Sequence, residues 1–327
     1  MNFLVVGGAG YIGSVVCEEL VRARHSVIVL DDLSTGHRDA VPALAYLVEG
    51  SVTDEAALKE ALTVKETDVV IHLAAKSIVG ESVKQPEAYH EANVTNGVRL
   101  LDAMRRHSVR SIVFSSTAAV YDPSAAMPLR ESSPLRPVNP YGATKLAFER
   151  VLSERAGEGS IAYVALRYFN VAGASIDHGE DHRVETHLIP LLLDAARGAR
   201  GPVPVYGTDY ATPDGTAVRD YVHVLDLAEA HVRAAKHLVG GGEPVTLNLG
   251  SERGASVREV IDAVRRVTGR DVPTTDVDRR EGDPPLLIAS SEAARRVLGW
   301  KSQFGDLDMI VETAWEWRQR YPEGYKS

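Results

Sequence analysis

The segment Gly7-Gly8-Ala9-Gly10-Tyr11-Ile12-Gly13 constrains this chain more than any other. It follows directly on the apolar run Asn2–Val6 and opens an amphipathic stretch, Ile12–Ala23, so glycines 7, 10 and 13 stand at a strand-to-helix junction. Gly7 permits a tight turn, Gly10 lets backbone N–H groups approach a pyrophosphate, and Gly13 allows the helix to pack closely on the strand. Such a triplet alone is weak evidence, since a glycine turn that merely packs looks the same. Its placement strengthens it, together with Asp31 at the end of the second apolar run, 18 residues beyond Gly13. A carboxylate there accepts hydrogen bonds from ribose hydroxyls and repels a 2′-phosphate. A dinucleotide site that takes NAD rather than NADP is therefore expected.

The flanking pattern carries the fold. Asn2–Val6, Ser26–Leu30, Asp68–Leu73, Ser111–Ser115 and Ile161–Leu166 read as buried strands. Between them Ile12–Ala23, Glu55–Leu62, Val94–His107 and Tyr141–Arg155 show helical apolar spacing. Strand–helix alternation predicts an α/β protein with a doubly wound parallel (Rossmann) sheet. From about residue 170 loops rich in Pro, Gly, Asp and Thr separate the helical segments Thr186–Ala199, Leu225–Leu238, Val257–Thr268 and Asp308–Arg320. This half reads as a smaller C-terminal α/β substrate-binding domain. The expected division is 1–169 and 170–327, with 220–240 packing back onto the first domain; no internal repeat is seen.

Composition narrows the partners. Among 327 residues, Lys plus Arg number 36 against 45 Asp plus Glu, a formal charge of −9, and no basic run is interleaved with aromatics. Nucleic-acid tracking is therefore not expected, and any phosphate ligand must be held locally. The lone Cys17 has no partner for a disulfide or a zinc pair and reads as a packing residue of a protein from a reducing compartment. Met1–Val6 reads as a strand and not as a signal peptide, and no run approaches the ~18 apolar residues of a membrane span. A cytoplasmic protein is expected.

Tyr141 and Lys145 stand four apart just after Pro140, a spacing that puts both on one helical face. A tyrosine near an ammonium and a cationic nicotinamide is a candidate base for a substrate hydroxyl whose geminal hydride leaves for NAD. The spacing alone is common by chance. Context favours function, because Phe114-Ser115-Ser116-Thr117 ends the preceding strand, where doubly wound folds place their ligands. Thr117 would share a proton between substrate and Tyr141.

With these motifs the chain resembles the extended short-chain dehydrogenase/reductases, the NAD-dependent epimerase/dehydratase family. The resemblance rests on Gly7–Gly13, Asp31-Asp32-Leu33, Val79-Gly80-Glu81-Ser82, Asn93, Phe114–Tyr121, Tyr141–Lys145, Leu166–Asn170, Arg280-Glu281-Gly282-Asp283 and Trp315–Tyr325. The stretch Asp209–Val224 is more specific than the glycine loop, and the match covers essentially the whole chain. It implies that UDP-glucose and UDP-galactose interconvert by transient C4 oxidation with bound NAD, rotation of the keto sugar and hydride return. Tyr141, lowered in pKa by Lys145, would act with Thr117. Cofactor contacts would come from Gly7, Gly10, Tyr11, Ile12, Gly13, Asp31, Asp32, Leu33, Ser34, Ser51, Val52, Leu73, Ala74, Ala75, Lys76, Asn93, Tyr141, Lys145 and Phe169. Nucleotide-sugar contacts would come from Thr117, Asn170, His187, Leu188, Tyr206, Arg219, Arg280, Asp283 and Leu287. A homodimer through a helix bundle including Val94–His107 and Tyr141–Arg155 is also implied.

Three positions depart from the family pattern. Ser51 stands where many relatives have an acidic residue near the adenine, and His187 stands where they often place a diphosphate-binding Asn. Leu287 replaces a bulky Tyr that restricts the hexose pocket in some relatives, which opens the alternatives UDP-GlcNAc and UDP-GalNAc; UDP-xylose and UDP-glucuronate are further ones. A dehydratase needs carboxylates after the strand-end Thr, whereas Ala118 and Ala119 stand here. A non-catalytic NAD-binding protein is disfavoured by the intact Thr117, Tyr141 and Lys145. The cluster His178, Glu180, Asp181, His182, Glu185 and His187 matches no ligand spacing, and no metal is expected there.

Overall fold

Side chains alternate across a strand, and in β1 (Asn2–Val6) both faces are apolar, so two cores form at once. Phe3 and Val5 enter one cluster with Val15, Leu20 and Leu227, while Leu4 and Val6 enter another with Leu58, Leu100 and Phe148. Each such fully buried side chain contributes ~1.5–3 kcal/mol relative to exposure. Helices on both faces are the consequence.

The computed structural model describes residues 1–280 and 282–326. Glu281, inside the Arg280–Asp283 motif, and Ser327 lie outside the described residues. After β1 come α1 (Tyr11–Arg22), β2 (Ser26–Asp31), β3 (Tyr46–Glu49), α2 (Glu55–Thr63), β4 (Val69–His72), α3 (Val79–Lys84), α4 (Pro86–His90) and α5 (Asn96–Arg106). β5 (Ser111–Thr117), α6 (Pro140–Gly157) and β6 (Ala162–Tyr168) follow. The remainder holds β7 (Asn170–Ala172), α7 (Leu188–Ala196), β8 (Val203–Tyr206), β9 (Val218–His223), α8 (Val224–Val239), β10 (Val245–Leu249) and β11 (Gly254–Ser256). Then come α9 (Val257–Thr268), β12 (Thr274–Val277), β13 (Leu286–Leu287), α10 (Glu292–Leu298) and α11 (Leu307–Arg320).

Among the described residues, seven strands form one parallel sheet in the order β10-β6-β5-β4-β1-β2-β3. This is the expected doubly wound sheet. Its edge strand β10 and the helix α8 come from the second half of the chain, and α8 buries Leu227, Ala228 and Ala235 in the cluster of Phe3 and Val5. A second sheet joins β9 with β7, β11 and β13, and β8 pairs with β12. Over them α7, α9 and α11 close a separate core around Leu192, Val260, Ile310 and Trp315. Trp317 and Tyr321 stack nearby at 5.3 Å, as the helical spacing of the C-terminal aromatics suggested. No described helix is long and apolar enough to cross a membrane.

Four boundaries differ from the sequence pattern for physical reasons. The helix expected from Val94 starts at Asn96, because a wide turn over Glu91–Thr95 connects α4 to α5 and turns Asn93 inward. The helix expected from Thr186 starts at Leu188, since Glu185 Oε1 accepts the Thr186 and His187 N–H groups at 2.7 and 2.6 Å. Strands β5 and β6 run two residues beyond the apolar pattern, pairing Ser116 with Arg167 and Thr117 with Tyr168.

Candidate active site

The three glycines have three different neighbourhoods. Gly7 has φ +86°, and a Cβ there would lie 2.5 Å from Ala74 N; a Cβ on Gly13 would lie 2.1 Å from Gly7 O. Both are required by the chain's own packing. A Cβ on Gly10 meets nothing closer than Gly7 O at 3.7 Å, so the space beside it is left open. Gly10 is the N-cap of α1, no side chain caps that helix, and its first turn carries no acid. An uncapped N-terminus with open space before it suits a pyrophosphate.

Asp31 holds this loop from the end of β2. Its Oδ2 accepts Ala9 N–H and its Oδ1 accepts Leu33 N–H, each at 2.9 Å. Each oxygen keeps a lone pair for a ribose hydroxyl. Asp32 accepts the Ser34 backbone and hydroxyl, and Leu33 between them has φ 57°. Ser51 pairs with Thr53, and Val52 packs at the rim of the second core. Leu73, Ala74, Ala75 and Lys76 leave the end of β4. The buried Asn93 accepts Lys76 N–H at 2.9 Å and donates to Lys76 O and Thr144 Oγ1 at 3.0 and 3.1 Å. Its amide thus ties the Lys76 segment to α6, a positioning role that the wide turn before α5 makes possible.

Helix α6 begins where Asn139 accepts Gly142 N–H at 2.8 Å with Pro140 in the first turn. Glycine at 142 is required, because a Cβ there would lie 2.3 Å from Ala119 O. This close approach brings Tyr141 against Thr117, whose hydroxyl favours the Tyr141 phenolate. Lys145 is 3% exposed and donates to Ser115 O at 2.8 Å and to Ser115 Oγ at 3.3 Å, with its Nζ 6.0 Å from the Tyr141 ring centroid. Thr117, Tyr141 and Lys145 therefore meet at the C-terminal edge of the sheet, beside Ala118 and Ala119.

One electrostatic expectation is corrected. Burial pushes the Tyr141 hydroxyl up from its ordinary value, against the hydrogen bond from Thr117, and burial brings Lys145 down to about 7 despite Glu149. The chain alone does not lower Tyr141, because both groups are desolvated and the Lys145 ammonium is turned to a strand carbonyl.

Behind this corner lies a group that the motif reading missed. Glu149 pairs with Arg167 at 2.6 Å, with side chains 7% and 5% exposed, and also accepts Ser116 Oγ. Arg167 donates to Tyr121 Oη at 2.9 Å, which in turn donates to Asn248. The available signal was the position of Glu149 four residues after Lys145, one turn further along α6.

The second half brings Tyr206, Arg219, Arg280 and Asp283 together. Arg219 binds Asp283 at 2.8 Å and Arg280 lies 3.8 Å above the Tyr206 ring. Leu287 pairs in register with Arg219, Asn170 with Tyr221, and Leu287 packs on the cluster of Phe169, Tyr121 and Leu146 that joins the two halves. Leu188 begins α7, directly after His187. Around them Glu180, His182, Glu185 and His187 converge, while His178 turns away to Glu18 at 2.8 Å. Burial opposes charge there, yet Glu180 and Glu185 raise His182 to about 9 and His187 to about 10.

Comparison with known proteins agrees with this architecture. Residues 3–250 match the NAD dependent epimerase/dehydratase family. The UDP-glucose 4-epimerase of Lacticaseibacillus casei is 47% identical, with 99% of each chain covered. The crystal structure of UDP-glucose 4-epimerase from Brucella ovis in complex with NAD superposes with a TM-score of 0.93 at 46% identity, covering 96% of this chain and 97% of that one. The enzyme from Bifidobacterium longum in complex with NAD+ and UDP gives 0.94 at 36% identity over 99% and 100% of the two chains. On its sheet order, its glycine loop and the extent of these matches, the chain belongs to the NAD dependent epimerase/dehydratase family.

Proposed function

We propose that this protein interconverts UDP-glucose and UDP-galactose by inversion at C4, with NAD as its resident cofactor. The observation that carries the reading is the Thr117, Tyr141 and Lys145 group at the sheet edge that also carries the uncapped glycine-loop helix, followed by Ala118 and Ala119 instead of carboxylates. NAD, when bound, supplies a reversible hydride acceptor and a positive charge that favours the Tyr141 phenolate. Gly7 to Gly13 and Asp31 to Ser34 would hold its pyrophosphate and ribose, with Ser51, Val52, Leu73 to Lys76 and Phe169 along its length. Tyr141 Oη takes the proton of the C4 hydroxyl through Thr117 and gives it back after the keto sugar has turned. Lys145 holds Tyr141's surroundings cationic below about pH 7 and orients the strand end.

Arg219 and Arg280 supply the positive charge that an acidic protein needs for a diphosphate, with Asn170, Leu188, Tyr206, Asp283 and Leu287 around the nucleotide sugar. The alternative UDP-sugars and a dehydratase reaction are not favoured. We include in the proposal a cytoplasmic location, two units divided near residue 169 with 220–240 joining the first, and a homodimer. Exposed apolar Ile78, Val79 and Val83 next to α6 support the last of these. Purified protein given UDP-galactose without added NAD should yield UDP-glucose. Failure to epimerise it, even with NAD supplied, would overturn the reading.

A further inference from the structure

The loop between β7 and α7 carries a cluster of which the family resemblance assigns only His187. We propose that Glu180, His182, Glu185 and His187 form a binding site for one divalent transition-metal cation of the Zn2+ type. Sequence spacing hides the site, because the ligands are gathered by a fold of the loop and not by a helical or hairpin repeat. His187 Nδ1 lies 2.8 Å from Glu180 Oε1 and 2.8 Å from Glu185 Oε1. His182 Nδ1 lies 3.3 Å from Glu180 Oε1 and 3.4 Å from Glu185 Oε2. All four donor atoms lie within 4.8 Å of one another. Ligands around tetrahedral Zn2+ stand ~3.3 Å apart, given bond lengths of about 2.0–2.1 Å. The exposed His187 can make the remaining adjustment.

The chemistry of the donors points the same way. Two imidazoles present the same ring nitrogen to two carboxylates, an N2O2 set suited to Zn2+, Co2+ or Ni2+ and poor for Ca2+ or Mg2+. The Glu180 and Glu185 side chains are only 7% and 16% exposed, so their mutual repulsion demands positive charge between them. A divalent cation bound between them would meet that demand. Outer support is in place: the Thr186 and His187 N–H groups fix Glu185, and the Tyr11 ring stands edge-on to His182 at 6.3 Å. A cavity of about 40 Å3 lined by Glu180, Asp181, His182, Glu185, Asp194 and Arg318 adjoins the cluster. The site would tie the glycine-loop helix to the start of α7, with His187 serving the metal instead of touching a diphosphate.

The full-length protein, stripped with a chelator, is titrated with Co2+ and then with Zn2+. The expected result is one Co2+ per chain with the visible band of a four-coordinate site, its displacement by Zn2+, and at least ~10-fold weaker binding in His182→Gln and Glu185→Gln. X-ray absorption of the Zn2+-loaded wild type should show imidazole and oxygen ligands, a readout that stands even where a variant misfolds. Absence of saturable binding, equal binding in folded variants, or a first shell without imidazole would each overturn the site. Epimerase activity plays no part in these outcomes, so they are independent of the function proposed above.

Discussion

Two groups of paired charge are built on opposite plans. Around Lys145 the charges sit on rigid elements, α6 and the ends of β5 and β6, and each is satisfied by a partner distant in sequence. Lys145 reaches Ser115, 30 residues away, and Glu149 reaches Arg167, 18 away. Around His187 the charges lie in one loop and neutralise one another within eight residues. Rigid elements fix a proton donor relative to a substrate, whereas a loop gathers ligands around a point charge. Catalytic geometry is thus expected from the first group and ion binding from the second.

The contrast can be broken in graded steps. Tyr141→Phe should lower epimerisation about 10²–10⁴-fold while thermal unfolding stays at the wild-type midpoint, measured by product formation and calorimetry. If rate survives, the first cluster is structural too. Arg167→Leu should cost about 3–5 kcal/mol in denaturant unfolding, because Glu149 is left buried without a partner. Gly13→Ala should cost ~1–3 kcal/mol through its clash with Gly7 O, whereas Gly10→Ala should change stability by less than ~0.5 kcal/mol and still weaken NAD binding, read by fluorescence titration.

A further effect is in pH. Between its folded value of about 7 and its ordinary 10.5, Lys145 binds a proton in the unfolded chain and not in the folded one. Stability of the cofactor-free protein should therefore rise with pH across that window, and Lys145→Met should flatten the rise, as unfolding at pH 7 and pH 9 would show.

The doubly wound half was legible because apolar runs of strand length alternate with helical spacing, and the strands of the sheet's centre appear within two residues of the pattern. The ends of β5 and β6 were not legible, since Ser116 and Arg167 read as polar termini until Glu149 is placed opposite them. Strand β3, edge strand β10 and the short strands of the second half went unread for a related reason. Tyr46–Glu49 has one buried residue, Val48, in four positions, too few for a period to show.

By itself the sequence determined the glycine turn, the acid that holds it, and the Tyr-x-x-x-Lys face of α6, because each depends on neighbours within a turn or a strand. Tertiary structure alone decided that Gly10 is open while Gly7 and Gly13 are closed, that Asn93 ties the Lys76 backbone to Thr144, and that burial raises Tyr141 and lowers Lys145. It also decided that four of the six His, Asp and Glu residues between 178 and 187 face one another. Space, desolvation and long-range hydrogen bonds depend on which segments meet, and no local spacing encodes them.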